Sequence, residues 1–337
     1  MVEKRSLEDM GTTAAERVLI TGITGFVGSH LADMLVGRGV EVFGFRRYHL
    51  SSMRNVAHLE DQITWVDCDM LEPKAVAVAV REIMPDKIFH MAAQSFVSPS
   101  WDHPHVFMDA NYKMTVNLFE ACLVNDINPR ILIPGSGEEF GEIHEDELPI
   151  TEETILRPVN PYAVTKIAQD LIGYVYHRSY GLDVVRTRAF NHEGPRRSNV
   201  FGIPWYGFQV ARIECGLQEP VLRVGHVDDR RNFTHIADMV RAYDAAISQC
   251  TPGDLYLIGS DKESDIHTFR EAVDGMIARS TVDGIEVEID QRYVRRTQVP
   301  LLICDPKKFV SLTGWQPTLG FEAILDDTLA YWRDQLS

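Results

Sequence analysis

Residues 17–31 read RVLITGITGFVGSHL, and the order of residue types in this stretch decides the fold. Residues 17–22 form a short, mostly apolar and β-branched run, the composition of a buried strand. Gly22, Gly25 and Gly28 then follow at intervals of three, and a helical pattern over 28–38 starts at the last of them. Gly22 and Gly25 let the backbone turn tightly and approach a pyrophosphate. Gly28 lets helix and strand pack closely, and the N-terminus of the helix favours negative charge. Three glycines alone say little; their place between a strand and a helix makes this a dinucleotide-binding turn, with Thr24, Phe26 and Val27 as its other residues.

Outward from this turn, strand-like runs at 41–45, 63–68, 87–93, 130–135 and 183–190 alternate with helical patterns at 73–83, 107–125 and 161–180. Such alternation predicts right-handed βαβ units, and so an α/β fold of the Rossmann type: a doubly wound parallel sheet covered on both faces. From about residue 195 the rhythm changes to loops punctuated by Pro and Gly, short helices and short strands at 220–224 and 254–259. Three parts are therefore expected: a flexible extension at 1–16, a dinucleotide-binding domain at 17–190 that carries the catalytic residues, and a smaller α/β domain at 191–337, mainly for substrate, with some chain returning to the first. Ligands in open parallel sheets bind outside the carboxyl ends of the strands, which places the site between the last two parts.

NAD sites carry an acidic residue at the end of the second strand. Here that strand runs into Arg46 and Arg47, whose guanidinium forks match a 2′-phosphate, so NADP is expected in preference to NAD. Asp69 and Met70 follow the third strand, where they would flank the adenine. Met91, Ala92, Ala93 and Gln94 end the fourth, where small residues let a cofactor lie against backbone.

The fifth strand ends in PGSGEEFG, which presents Ser136 and Glu138 at the same sheet edge. Residues 160–166 then read NPYAVTK. Proline suits the first turn of a helix, so Tyr162 and Lys166 fall at i and i+4 on one face. A phenol beside an ammonium is a candidate acid/base, with Lys166 expected to keep Tyr162 acidic and to hold a nicotinamide ribose. Ser136 would bond a substrate hydroxyl or ketone.

The chain has 337 residues, 33 basic and 49 acidic, for a net charge of −16. That balance argues against nucleic acid or an anionic membrane as a partner. No secretion signal or long apolar run is read, and five scattered cysteines without a Cys-x-x-Cys pair suit a reducing cytoplasm. Twelve histidines, His90 and His235 among them, lack metal-ligand spacing, so no metal is expected.

The glycine turn, Ser136 and the Tyr162/Lys166 pair together resemble the extended short-chain dehydrogenase/reductase family over nearly the whole chain. Within it, AAQSFVSPSW (92–101), AFNHEGPRR (189–197) and TGWQP (313–317) are similar to GDP-mannose 4,6-dehydratases and the related GDP-4-keto-6-deoxymannose reductases. The resemblance implies a lyase that converts GDP-mannose, or a close GDP-sugar such as a GDP-heptose, to its 4-keto-6-deoxy form, with NADP cycling in place. Tyr162 would move the O4 proton and Glu138 the C5 proton. Asn191 would face the sugar or phosphate, Ser95 would bind the substrate, Arg231 and Arg295 would suit the diphosphate, and His192 would shape the cofactor pocket. A homodimer or homotetramer paired through helices 107–125 and 161–180 is implied as well. The alternatives are a keto-sugar reductase using NADPH, a C4 epimerase, and a non-catalytic dinucleotide sensor, which the intact Ser136, Tyr162 and Lys166 disfavour. Departures from the family's pattern are Gly137, Phe140, Asn232, Arg296 and Gln298, the last standing where an acid often lies near the ribose.

Overall fold

The computed structural model describes residues 15–297 and 299–337, so the expected extension, apart from residues 15 and 16, and Gln298 lie outside the described residues. Seven parallel strands form the central sheet: β1 (Arg17–Thr21), β2 (Glu41–Arg46), β3 (Thr64–Asp67), β4 (Lys87–His90), β5 (Arg130–Ser136), β6 (Val184–Ala189) and β7 (Leu255–Ile258). Their spatial order is β7-β6-β5-β4-β1-β2-β3, a Rossmann-type sheet. Side chains alternate across it. Val18 and Ile20 of β1 point to the face covered by α1 (Phe26–Gly37), whereas Leu19 points to the face covered by α2 (Pro73–Ile83). Both faces are dry, which is why these strands read as continuous apolar runs.

The helix expected over 107–125 is broken in a specific way. It consists of α3 (Pro104–Met108), one π turn at Asp109–Lys113 and α4 (Met114–Val124). The π turn contains the fully buried Asn111, whose side chain bonds both Gln94 N (2.8 Å) and Gln94 O (3.0 Å). The wide turn thus joins the helix to the chain leaving β4, a known use of π turns at sites. The helix expected over 161–180 runs from Pro161 to Tyr180 as α5.

One expectation is corrected. The strand at 254–259 is expected in the smaller part, but β7 pairs with β6 and extends the central sheet. Its apolar run Leu255–Ile258 carries Tyr256 and Ile258 to the face that also holds Met239 and Tyr243 of α6 (Ile236–Gln249). Burial on both sides is what its composition asked for. Elsewhere, Tyr206 and Val210, Met276, and Leu325 with Trp332, from three later helices, enclose a separate apolar cluster with Leu222 and Val224.

Candidate active site

Every candidate residue lines one of three adjoining cavities at the carboxyl edge of the sheet. A cavity of about 410 Å³ holds Gly22, Thr24, Gly25, Arg46, Arg47, Asp69, Met70 and Met91–Gln94. A second of about 250 Å³ is reached past Gly22, Gly25, Met91 and Ala93, and adds Phe26, Val27, Gly28, Ser95, Ser136, Glu138, Tyr162, Lys166, Asn191, His192 and Arg295. A third of about 450 Å³ shares Glu138, Asn191 and Arg295 with the second and adds Arg231. A cleft of this length has room for two ligands end to end, with the Ser136/Tyr162 pair near its middle.

The first cavity fits a dinucleotide. Gly22 has φ +64°, and a Cβ there would sit 2.7 Å from the Ala92 amide nitrogen, so only glycine leaves this floor open. A Cβ on Gly28 would run into the Gly22 carbonyl oxygen. Gly25 caps α1 without any side-chain bond, which leaves the first-turn amides facing the cavity. Asn55, which the sequence reading missed, pins the turn by donating to Thr24 O at 3.1 Å. Arg46 is engaged by Asp67 (3.0 Å) and lies over the Trp65 ring, whereas Arg47 is exposed on the rim.

Asn160 caps α5 by accepting from Ala163 N (2.8 Å), and Pro161 fills the first turn, so Tyr162 and Lys166 share the face turned to β5. The backbone N–H of Tyr162 donates to Ser100 Oγ at 3.2 Å. Both side chains are buried. The expected acidifying of Tyr162 is not what the structure shows. Burial pushes the phenol above its ordinary value; a hydrogen bond to Ser136 opposes the rise, and the Glu138 and Glu139 carboxylates add to it. Lys166 instead donates to Pro134 O (2.5 Å) and to Gln169 Oε1, and burial lowers its own pKa. A phenolate in a dry pocket loses its hydration, and this lysine is committed to other acceptors.

Behind Lys166 runs a buried chain of hydrogen bonds whose directions can be assigned. Thr115 Oγ donates to Asn111 O (2.8 Å), so it accepts from Gln169 Nε2 (2.9 Å) and from His90 Nε2 (2.9 Å). His90 therefore carries its proton on Nε2, and its Nδ1 accepts from Thr21 Oγ (2.8 Å), which in turn accepts from Ala92 N (3.1 Å). Burial, helped by Lys166, lowers the His90 pKa to about 3, so the ring is neutral. A histidine without metal-ligand spacing thus ties Lys166 to the strand end over which a cofactor would lie.

Toward the third cavity, Glu138 Oε1 accepts from Arg295 (3.1 Å) and Oε2 from Asn160 Nδ2 (3.1 Å). Arg231 is 2% exposed and donates to Arg230 O at 2.9 Å, with Asp229 at 3.5 Å. His192 donates from Nδ1 to Phe190 O (2.9 Å) and stacks on Phe26; burial and Arg197 lower its pKa to about 4. Arg197, another residue the sequence reading missed, lies over the Phe26 and Phe201 rings at the wall of the second cavity.

Below the site lies a buried ionic group, also missed. Arg186 and Arg188 of β6 both reach Asp170 of α5 (2.8 and 2.6 Å), and Arg188 also reaches Glu139 (2.7 Å). A signal was available. Two arginines spaced by two on a strand buried on both faces point the same way and require carboxylates opposite them. Phe140 covers the Arg188 guanidinium at 5.1 Å.

Comparison with known proteins gives this geometry a family. The family model described as GDP-mannose 4,6 dehydratase matches residues 19–328. The GDP-6-deoxy-D-mannose reductase of Pseudomonas aeruginosa is 29% identical, over 95% of this chain and 98% of its own. The GDP-mannose 4,6 dehydratase 2 of Arabidopsis thaliana is 30% identical, over 91% and 84%. Among solved structures, RMD from Pseudomonas aeruginosa complexed with NADPH superposes with a TM-score of 0.80 at 28% identity, covering 95% of this chain and 100% of that one. The Thermus thermophilus UDP-glucose 4-epimerase complex with NAD gives 0.81 at 27%, covering 94% and 99%. With a family model matching residues 19–328, the protein belongs to the GDP-mannose 4,6-dehydratase family of extended short-chain dehydrogenases/reductases.

Proposed function

We propose that this protein is an NADP-dependent GDP-sugar 4,6-dehydratase acting on GDP-mannose or a close GDP-sugar such as a GDP-heptose. The reading rests on one observation: the Glu138 carboxylate lines the cavity of Ser136 and Tyr162 and also the cavity of Arg231 and Arg295. Simple oxidation at one carbinol needs no second proton-transfer group beside the Ser/Tyr pair, whereas dehydration does. Bound in the glycine-floored cavity, the dinucleotide would supply acceptance and return of a hydride. Ser136 would hold the sugar O4, and Tyr162 would exchange its proton. Once C4 is a ketone, the C5 hydrogen is acidic, and Glu138 would remove it as water leaves from C6. Arg231 and Arg295 would bind the diphosphate, in a chain otherwise strongly acidic.

A second reading, a 4-keto-6-deoxy sugar reductase using NADPH, is favoured by the occupation of both Glu138 oxygens by Arg295 and Asn160, which suits a carboxylate that positions rather than moves a proton. Incubation with GDP-mannose and no added reductant separates the two. A 4-keto-6-deoxy product is expected; turnover only with a keto sugar and NADPH would transfer the assignment to the reductase.

Preference for NADP is assigned to the two arginines after β2. Arg47→Ala is expected to weaken NADP binding about 10- to 100-fold, the scale of one charge-assisted hydrogen bond, with little change for NAD. Titration of both cofactors by protein fluorescence checks this, and equal losses for the two would reject it. Residues 191–337 are inferred to bind mainly the substrate. The outward face of α5 carries Val164, Leu171 and Val175 at 45, 49 and 44% exposure, spaced as one stripe. Pairing of that stripe with a second copy would make a homodimer or homotetramer, and a monomer in sedimentation would refute it. No described helix is long and apolar enough to cross a membrane.

A further inference from the structure

We propose that Glu139, the neighbour of the candidate base, is a positioning residue of this site. It fixes the backbone of Ser136 and supplies the negative charge that keeps Lys166 an ammonium. The inference rests on the acid/base reading of Tyr162 and Lys166 given above.

Glu139 is fully buried, and both its oxygens are used. Oε1 accepts from the Ser136 amide at 2.7 Å and Oε2 from Arg188 Nε at 2.7 Å. The carboxyl folds back over Gly135, where a Cβ would collide with Oε1, so the glycine before Ser136 makes room for it. Lys166 grips the same three-residue stretch from the side of α5, through Pro134 O. Acid and ammonium are thus held one peptide apart on either side of the strand end that presents Ser136.

The charge balance of this pocket gives Glu139 its weight. Facing it are Arg188 from β6, with Arg186 beyond, and Lys166, Asp170 and Tyr162 from α5; Glu138 precedes it on its own segment. Three cations therefore meet two buried acids, Glu139 and Asp170; burial lifts the Glu139 pKa to about 7 against the pull of Arg188, so above that pH Glu139 carries its negative charge. Neither arginine gives up a proton and burial raises the Tyr162 phenol, so the group that first restores balance when an anion is lost is Lys166. Burial already lowers the lysine's pKa, and Glu139 is the larger of the two charges that oppose this. With Glu139 neutralised, Lys166 sheds its proton at lower pH, and any step that needs the ammonium fails earlier as pH rises.

The test uses full-length protein with lysine labelled by ¹⁵N at Nζ. The Lys166 signal is identified by its absence in Lys166→Met and is followed against pH with no sugar present. In Glu139→Gln, the Lys166 titration is expected to move acidward by about one pH unit or more. The alkaline limb of the kcat profile should move with it, while that of Glu139→Asp stays in place at lower kcat because Ser136 is less well held. A folded Glu139→Gln variant with an unmoved Lys166 titration overturns the proposal. If that variant does not fold, a Glu139→Asp variant whose Lys166 titration moves, or whose kcat equals wild type, overturns it. Absence of turnover by the wild type on any nucleotide sugar would instead sink the reaction assigned above and leave the lysine titration as an independent result.

Discussion

Tyr162→Phe is expected to lower kcat by about 10²- to 10⁴-fold while the dinucleotide still binds. This is the range for a positioned general acid–base group. The substitution removes one oxygen and leaves the ring, which packs edge-on to Phe107 at 6.4 Å, so neither α5 nor the small apolar cluster with Val97 loses its filling. Nothing in the dinucleotide floor depends on the hydroxyl: Gly22, Gly28 and the amides at the start of α1 are set by β1 and by Ala92. Lys166 does not readily replace the lost group, because two of its three hydrogens are given to Pro134 O and Gln169 Oε1. Burial holds the phenol above its ordinary pKa, which suits proton donation to a ketone; taking the O4 proton from a carbinol requires the phenol to lose its own proton first. Product formation under saturating nucleotide sugar, measured beside cofactor titration, checks the split. Activity within about threefold of wild type in the Tyr162→Phe variant would take the acid/base role away from this tyrosine.

What could be seen in the sequence and what could not follow a physical division. The glycine turn and the boundaries of α5 were legible because backbone chemistry writes them locally: glycine where a Cβ would strike a neighbour, proline in a helical first turn, an asparagine cap before it. Apolar runs gave β1 to β6 for the same reason, since a strand covered on both faces shows it in composition. The membership of β7 was harder, because a buried strand looks alike whichever sheet it joins. The π turn at Asp109–Lys113 left no local mark; it exists to carry Asn111 to Gln94, a contact between distant segments. Partner choice was hidden for the same reason. The i, i+4 spacing puts Lys166 beside the phenol, yet it is found on Pro134 and Gln169; the strand-end motif points to Glu138, whereas Arg186 and Arg188 on one strand face call for two buried acids, of which Glu139 is one.

In Glu138→Gln protein, wash-in of solvent deuterium at C5 of the sugar should fall by about 10²-fold or more, while oxidation at C4 stays detectable as the near-ultraviolet band of reduced nicotinamide. The amide is nearly the same size, so the cavity keeps its shape, but its chemistry differs in two ways. A neutral amide does not accept the C5 proton. It also offers one acceptor oxygen where the carboxylate offers two, whereas Arg295 and Asn160 Nδ2 both donate to this position at 3.1 Å. The amide NH₂ must then face one of these donors, and that contact opens. If it is the arginine, a guanidinium freed beside the third cavity, where the diphosphate is proposed to lie, would tighten nucleotide binding, so a lower KM alongside the lost exchange is expected. The same experiment separates the two candidate reactions. A dehydratase stalls after oxidation, with a 4-keto sugar that retains its C5 hydrogen. A reductase shows no C5 exchange in the wild type, and its variant changes only how the sugar is held. Exchange at the wild-type rate in the Glu138→Gln variant would mean that another group moves this proton, and the carboxylate would be left with the role its two hydrogen bonds describe, that of anchoring Arg295 across the cleft from Tyr162.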